Sequence, residues 1–292
     1  MFAHTPYDGS TKPFSVAMRP LDPRNWIEPD ANLARDLAEK DALLAARRQV
    51  VFREEEASRP AQRETLALLA DFLPARFPQL YAARGNEIAV AGRAVALDSD
   101  APLLVASRLV QEDLCVMTRG ETGWRLAAAS LCFPSTWSLA EKIGLDMANI
   151  HTHVPGFPGR MQEIVARIFD NLRVEAPVQR LNWSIYGDGD LHHPESKSNP
   201  RERFPEDTPP LERAHIRVER QTLRKLPETG AILFTIRVYA DPVRHLARRP
   251  DGKALVAGLR AQLLGLDPAQ LAYKGLTEAR DRLAQALETL AG

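Results

Sequence analysis

Apolar residues first recur at helical spacing behind Asp30. Leu33, Leu37, Leu44 and Val51 lie four or seven residues apart, which predicts a long helix with charge on its other faces and Asp30 as its cap. A second stripe, Leu66, Leu69 and Leu73, predicts a helix over about 61–73 that ends at Pro74. From 87 to 133 the pattern shortens to β-type runs, EIAV, AVAL, PLLVASRLV, DLCVMTR and WRLAAASLCF, with a GETG turn at 120–123. Ser138 and Glu141 have capping-box spacing ahead of Leu139, Ile143, Met147 and Ile150, so a helix is expected over 138–150. Another follows over about 160–172. Strand patterns return at 179–186, 214–223 and 231–239, and Pro227 and Gly230 make the last two an antiparallel hairpin. Residues 251–290 read as helical. Residues 1–30, rich in proline and aromatics, read as an extended arm pinned by its rings.

Strands, two central helices and further strands between helical ends indicate an α+β fold: a PAS-like antiparallel sheet with helices on one face. The expected organisation is a single domain, with an arm and helices over 1–85, the core over 86–245 and C-terminal helices over 246–292.

Composition narrows the function. Apolar residues make up 45% and charged residues 26% of the chain, as in ordinary globular proteins. Thirty-eight basic residues balance thirty-eight acidic ones, so no global field attracts nucleic acid or an anionic membrane. No run of eighteen apolar residues and no basic, apolar leader appears, and Cys115 and Cys132 have no metal-site spacing. A cytoplasmic, reducing location is expected. Nucleotide, P-loop, nucleophile-elbow and zinc-protease motifs are all missing from the sequence.

Three features carry candidate chemistry. On a continuous helix Gly144, Ala148 and His151 share one face, either a close-packing strip with a C-terminal histidine or a ledge on which a flat macrocycle lies beside an iron ligand. His153 is the competing histidine. On the strand 214–223, His215, Arg217, Glu219 and Gln221 alternate onto one face, and across the hairpin Thr235 and Arg237 are expected to join them. A solvated sheet face is the plainer alternative. In LNWSIY, Trp183 reads as core while Asn182 and Tyr186 offer hydrogen bonds. The adjacent pair His192-His193 reads as a surface loop.

The segments WSLAEKIG from Trp137, IHTHVPG from Ile150, NWSI from Asn182 and RVERQTLRKLPETGAILFTIR from Arg217 resemble the haem-dependent oxidative N-demethylase family over roughly residues 10–245. The resemblance implies haem b held between a helix and the sheet, with FMN, a 2Fe–2S cluster and tetrahydrofolate on partner reductase and folate-binding subunits. It implies dioxygen-dependent removal of a methyl group from a small secondary amine such as dimethylamine, with a gas or small-molecule sensor as the alternative. On that resemblance His151 is the iron ligand and Gly144, Ala148 and Trp183 lie against the macrocycle. Glu219, Arg217 and Gln221 are then catalytic, and Asn182, Tyr186 and Arg237 bind substrate.

Overall fold

The computed structural model describes residues 2–195 and 203–291. A seven-stranded antiparallel sheet runs in the order β1-β8-β9-β10-β6-β7-β2. Its strands are β1 (Arg19–Pro20), β2 (Phe52–Glu54), β6 (Asp113–Gly120), β7 (Gly123–Ser130), β8 (Val178–Tyr186), β9 (His215–Lys225) and β10 (Ile232–Pro242). A separate three-stranded sheet holds β3 (Tyr81–Arg84), β4 (Glu87–Val90) and β5 (Arg93–Ala96). The α+β class is therefore as expected. The predicted hairpin is β9 and β10, and the carboxylate of Glu64 in α2 (Arg59–Arg76) secures its loop by accepting from the backbone N–H groups of Glu228 and Thr229.

Helices cover both faces of the large sheet, where one face was expected. Trp183, Ile185, Ile216 and Val218 point to the side occupied by α7 (Gly252–Leu264), and Trp183 Nε1 donates to Gln262 Oε1 at 2.7 Å. The register pairs Arg119 with Trp124 on the opposite side. There Trp124 meets Phe169 of α5 (Gln162–Asn171), ring centroids 5.9 Å apart. The N-terminal arm is pinned as its aromatics predicted: Trp26 is fully buried edge-on to Phe72, and Arg220 donates to the carbonyls of Asn25 and Trp26.

Four local expectations change. The apolar run at 102 folds as a helix, α3 (Pro102–Ser107), not a strand; it is buried almost all round, and a short apolar run has no period to separate the two. Pro74 lies within the last turn of α2, which runs on to Arg76, where little helix remains to be disturbed. Helix α1 (Leu33–Val51) forms, but Asn32 occupies its cap position. The Asp30 carboxylate instead accepts from Asn32 N, Gln111 Nε2 and Arg237 Nη2.

The fourth change bears on the site. Residues 138–150 are a 3₁₀ turn at Leu139–Glu141 and then a short helix α4 (Met147–Ile150), with Gly144 between them at φ +80°. Strand β7 claims this backbone: Gly144 N donates to Leu126 O, and Leu126 N to Leu145 O. Ser138 makes no side-chain cap, and Asp146 caps α4 through Asn149 N at 2.9 Å. Gly144 therefore shares no helical face with Ala148 and His151.

Candidate functional site

The pleat of β8 and β9 sets one wall of a cleft. Opposite residues of paired strands share a face, and the register places Arg180 beside Gln221, Asn182 beside Glu219 and Ser184 beside Arg217. Glu219 is 8% exposed, and its Oε2 accepts from Gln221 Nε2 at 2.8 Å and Asn182 Nδ2 at 3.3 Å. Among the described residues its Oε1 has no hydrogen-bond partner. Ser184 Oγ and Arg180 Nε are buried and likewise unpartnered.

The second wall is the turn and helix from 142 to 161. Residues 142–148, 150 and 151 are all half-buried, as are Val178, Arg180, Asn182 and Ser184 on β8. These residues keep part of their surface free, while Phe157 on this wall and Glu219 on the other are buried. His151 ends α4 with its ring stacked on Phe157, centroids 4.2 Å apart and planes at 16°. Its Nδ1 lies 2.8 Å from Met147 O. A carbonyl only accepts, so Nδ1 carries the proton. Burial lowers the imidazole pKa to about 4, with Lys142 and Arg180 adding positive charge nearby. At neutral pH the ring is neutral, and Nε2 holds a lone pair with no partner among the described residues. That is the state and the backbone anchoring in which histidines bind metals.

Beyond Arg180 the cleft opens on an apolar groove of about 660 Å³, lined by Ile164, Ile168 and Leu172 of the α5 region, by Val178 of β8, and by Arg167 and Arg173 at its rim. Val178 precedes Arg180 by two residues on the same face of the strand. Volumes of roughly 300–1,000 Å³ suit small-molecule and cofactor sites.

The structure gathers some of the predicted residues here and sends others elsewhere. His151, Ala148, Asn182, Glu219 and Gln221 belong to these walls. Gly144 sits in its turn against Glu55 and Arg125, where an added Cβ would lie 3.3 Å from Glu55 Oε1. Trp183 points to the α7 side, because it alternates with Asn182. Thr235 and Arg237 pair with Thr222 and Arg220, not with Arg217 and Glu219, so they too lie on the far face. Arg237 forms ion pairs there with Asp30 at 2.9 Å and Asp36 at 3.5 Å. The polar ladder therefore divides into two faces.

Arg217 is on the cleft side but is taken up by the protein itself. Its Nε donates to Ser135 Oγ at 2.7 Å, Nη1 to Asp190 O, and Nη2 to the carbonyls of Phe133, Pro134 and Leu191. It ties two loops to the sheet through Nε, Nη2 and one N–H of Nη1. Pro134 O and Asp190 O keep bonds from His193, but Arg217→Met should leave the Phe133 and Leu191 carbonyls without this donor at about 1–3 kcal/mol each. A fall in melting temperature of several degrees, measured by circular dichroism, is the expected outcome.

Tyr186 is similarly engaged: its hydroxyl lies 2.8 Å from Thr136 Oγ1 and its ring lies under the Arg203 guanidinium at 3.8 Å. The pair His192-His193 is not a surface loop. His193 is 7% exposed beside Tyr186 and bonds Asp190 O, while His192 Nδ1 bonds Cys132 O. The part of that connection at 196–202 lies outside the described residues. His153 is exposed beyond the end of α4.

The sequence model of the family described as haem-dependent oxidative N-demethylase, alpha subunit-like, matches residues 17–284. The chain belongs to this family. The match spans both walls of the cleft, the polar face of β8 and β9, the N-terminal strands and the start of α9 (Arg280–Ala291). The family's name carries haem dependence, oxidative N-demethylation and the status of a subunit, so the cleft is the place to ask where a haem and an amine fit. Among the described residues no helix is long and apolar enough to cross a membrane.

Arg180, Ser184 and Phe157 entered this site only with the structure. Alternation along β8 would have put Arg180 and Ser184 beside Asn182, but an arginine at a strand's start reads as solvent-facing. Phe157 follows a glycine-proline break that hides its return to His151.

Proposed function

We propose that this chain binds haem b at His151 and serves as the oxygen-using subunit for oxidative N-demethylation of a small secondary amine. The observation that carries the reading is the His151 imidazole, held neutral and oriented through Nδ1, with Nε2 unengaged among the described residues and the charge of Arg180, on the polar strand face, acting on the ring. The donor set suits a haem: one fixed imidazole, an apolar floor from Ile164, Ile168 and Val178, and a guanidinium at Arg180. Bound there, haem iron would supply dioxygen activation and the oxidising power for loss of the methyl group.

The chain's own residues have separable tasks. Met147 O orients the imidazole, and Phe157 limits its rotation by stacking. Asn182 and Gln221 donate to Glu219 Oε2, which fixes the carboxylate and leaves Oε1 to accept an N–H from a substrate ammonium. Glu219 is also the nearest described carboxylate on this face to receive the amine's proton before oxidation. Asn182, Gln221 and Ala148 remain in the proposed site. Arg217 supports its loops; Gly144, Trp183, Tyr186 and Arg237 leave the proposed ligand-contact set for the packing reasons above.

The PAS-like reading of the 86–245 core rests on the strand order β7-β6-β10-β9-β8, with α4 and α5 entering between β7 and β8 in sequence. Electrons come, on this proposal, from partner subunits carrying FMN and a 2Fe–2S cluster, with tetrahydrofolate on a further subunit, and the assembly works in the cytoplasm. Purified chain supplied with haem should show a Soret band. With its reductase partner it should consume dioxygen and release formaldehyde only when dimethylamine is added. Haem uptake without amine-dependent dioxygen consumption in the reconstituted system would overturn the enzymatic reading, and no Soret band would overturn haem binding itself.

A further inference from the structure

Arg180 has an electrostatic role to fill. It stands on the cleft face of β8, half-buried, next to Gln221 across the strand pair. Among the described residues no hydrogen bond or ion pair engages its guanidinium, and Nε is buried without a partner. Other buried arginines of the sheet each hold several partners: Arg217 carbonyls and a hydroxyl, Arg220 Glu28 and the arm's carbonyls, and Arg237 Asp30 and Asp36, although Arg237 Nε is itself unpartnered. The nearby carboxylate, Glu219, is held through Oε2 by two amides and makes no ion pair with Arg180. Glu219 offsets part of the Arg180 charge through space, but a desolvated guanidinium with no hydrogen-bonded partner is costly unless an anion completes it, and its planar fork matches a carboxylate.

The position specifies which anion. Arg180 follows Val178, the floor of the apolar groove, and its charge reaches the His151 imidazole. An anion here must therefore sit at the edge of an apolar body lying against His151. Haem has that form: a flat apolar macrocycle bearing two propionate carboxylates on one edge. We infer that Arg180 anchors a haem propionate and so fixes the rotation of the macrocycle between α5 and β8. The inference rests on the haem reading above but assigns a residue and a ligand group which that reading does not require.

The test compares haem with haem dimethyl ester, in which the propionates are neutral, by following transfer of the bound porphyrin from full-length protein to excess apomyoglobin. A charge-assisted hydrogen bond is worth on the order of 1.5–3 kcal/mol, or roughly ten- to hundredfold. Wild type should release the ester about that much faster than haem, Arg180→Gln should release haem as fast as wild type releases the ester, and the ester should show no further loss in the variant. Arg180→Lys should recover part of the difference. Equal release of haem and ester by wild type would overturn the inference while leaving His151 ligation intact. So would an ester penalty that persists unchanged in Arg180→Gln. Should Arg180→Gln fail to fold, the wild-type ester comparison still decides. A wild type that takes up neither porphyrin would defeat the haem reading and this inference with it.

Discussion

His151→Ala is expected to abolish stoichiometric haem binding, while His153→Ala leaves the Soret band and its intensity unchanged. Only His151 combines partial burial, a proton fixed on Nδ1 by Met147 O and a ring held by Phe157. His192 on Cys132 O and His215 on Arg213 O share the Nδ1 anchor, and His192 Nε2 is likewise buried without a partner, but neither ring stacks on Phe157; His193 bonds Asp190 O and Asp188 through Nε2. Losing an outer partner of a metal ligand already costs roughly 10- to 100-fold in affinity, so losing the ligand itself should exceed that. The state of the ring gives a second check. Burial holds its pKa down to about 4, so protons do not compete for Nε2 above that value. Haem affinity of wild type should therefore stay level from neutral pH down to about 5, where a surface histidine of ordinary pKa near 6.5 would already be mostly protonated. The sign for stability agrees: the unfolded chain takes up this proton first, so the apoprotein should weaken as pH falls from about 6.5 toward 4. Haem retained at normal occupancy in His151→Ala would move the ligand to another histidine.

The elements of this fold that repeat a period were legible in the sequence, and those shaped by neighbours were not. Leu33 to Val51 and the β9–β10 hairpin carry enough periodic residues to declare themselves. The segment 138–150 carried an equally good helical stripe. It fails as one helix because the Gly144 and Leu145 backbone groups bond to Leu126 of β7, a contact 18 or more residues away in sequence. The same limit explains the site. Alternation along β9 correctly put Arg217, Glu219 and Gln221 together, since that needs only the strand period. Adding Thr235 and Arg237 required the register of the hairpin, and pairing Arg237 with Arg220 turns it to the far face. What Arg217 does was also out of reach, because its partners are backbone carbonyls at 133, 134, 190 and 191, which no side-chain pattern reports.

The division of the polar ladder gives each face its own logic. On the far face arginines meet carboxylates from the N-terminal arm and α1, so Arg220 and Arg237 join the arm to the sheet. On the near face the charges are fewer and incompletely matched. Among the described residues Glu219 has one oxygen without a hydrogen-bond partner, Arg180 makes no hydrogen bond or ion pair, and Ser184 Oγ is buried alone. Buried polar atoms in folded proteins are mostly satisfied, so the unpartnered Arg180 Nε and Ser184 Oγ on the cleft face of β8 are open to completion by a ligand.

Glu219→Gln should weaken amine binding roughly ten- to hundredfold, the loss of one charged hydrogen bond worth on the order of 1.5–3 kcal/mol, without emptying the haem site. The substitution is chosen for what it preserves. A glutamine at 219 keeps a carbonyl oxygen to accept from Asn182 Nδ2 and Gln221 Nε2, so the local frame survives and only the negative charge goes. Small secondary amines are ammonium ions at neutral pH, and they lose their counter-ion in this variant. A carboxylate on a solvated sheet face would respond otherwise, since removing an exposed charge shifts such energies by about 0.5 kcal/mol or less. The measurement is a titration of the ferric protein with dimethylamine, followed through the haem spectrum, in wild type and Glu219→Gln. Unchanged haem stoichiometry and melting temperature in the variant separate ligand binding from folding. A neutral probe of similar size, dimethyl ether, should bind both proteins alike. Equal dissociation constants for dimethylamine would remove Glu219 from the amine site and leave its bonds to Asn182 and Gln221 as cross-strand packing.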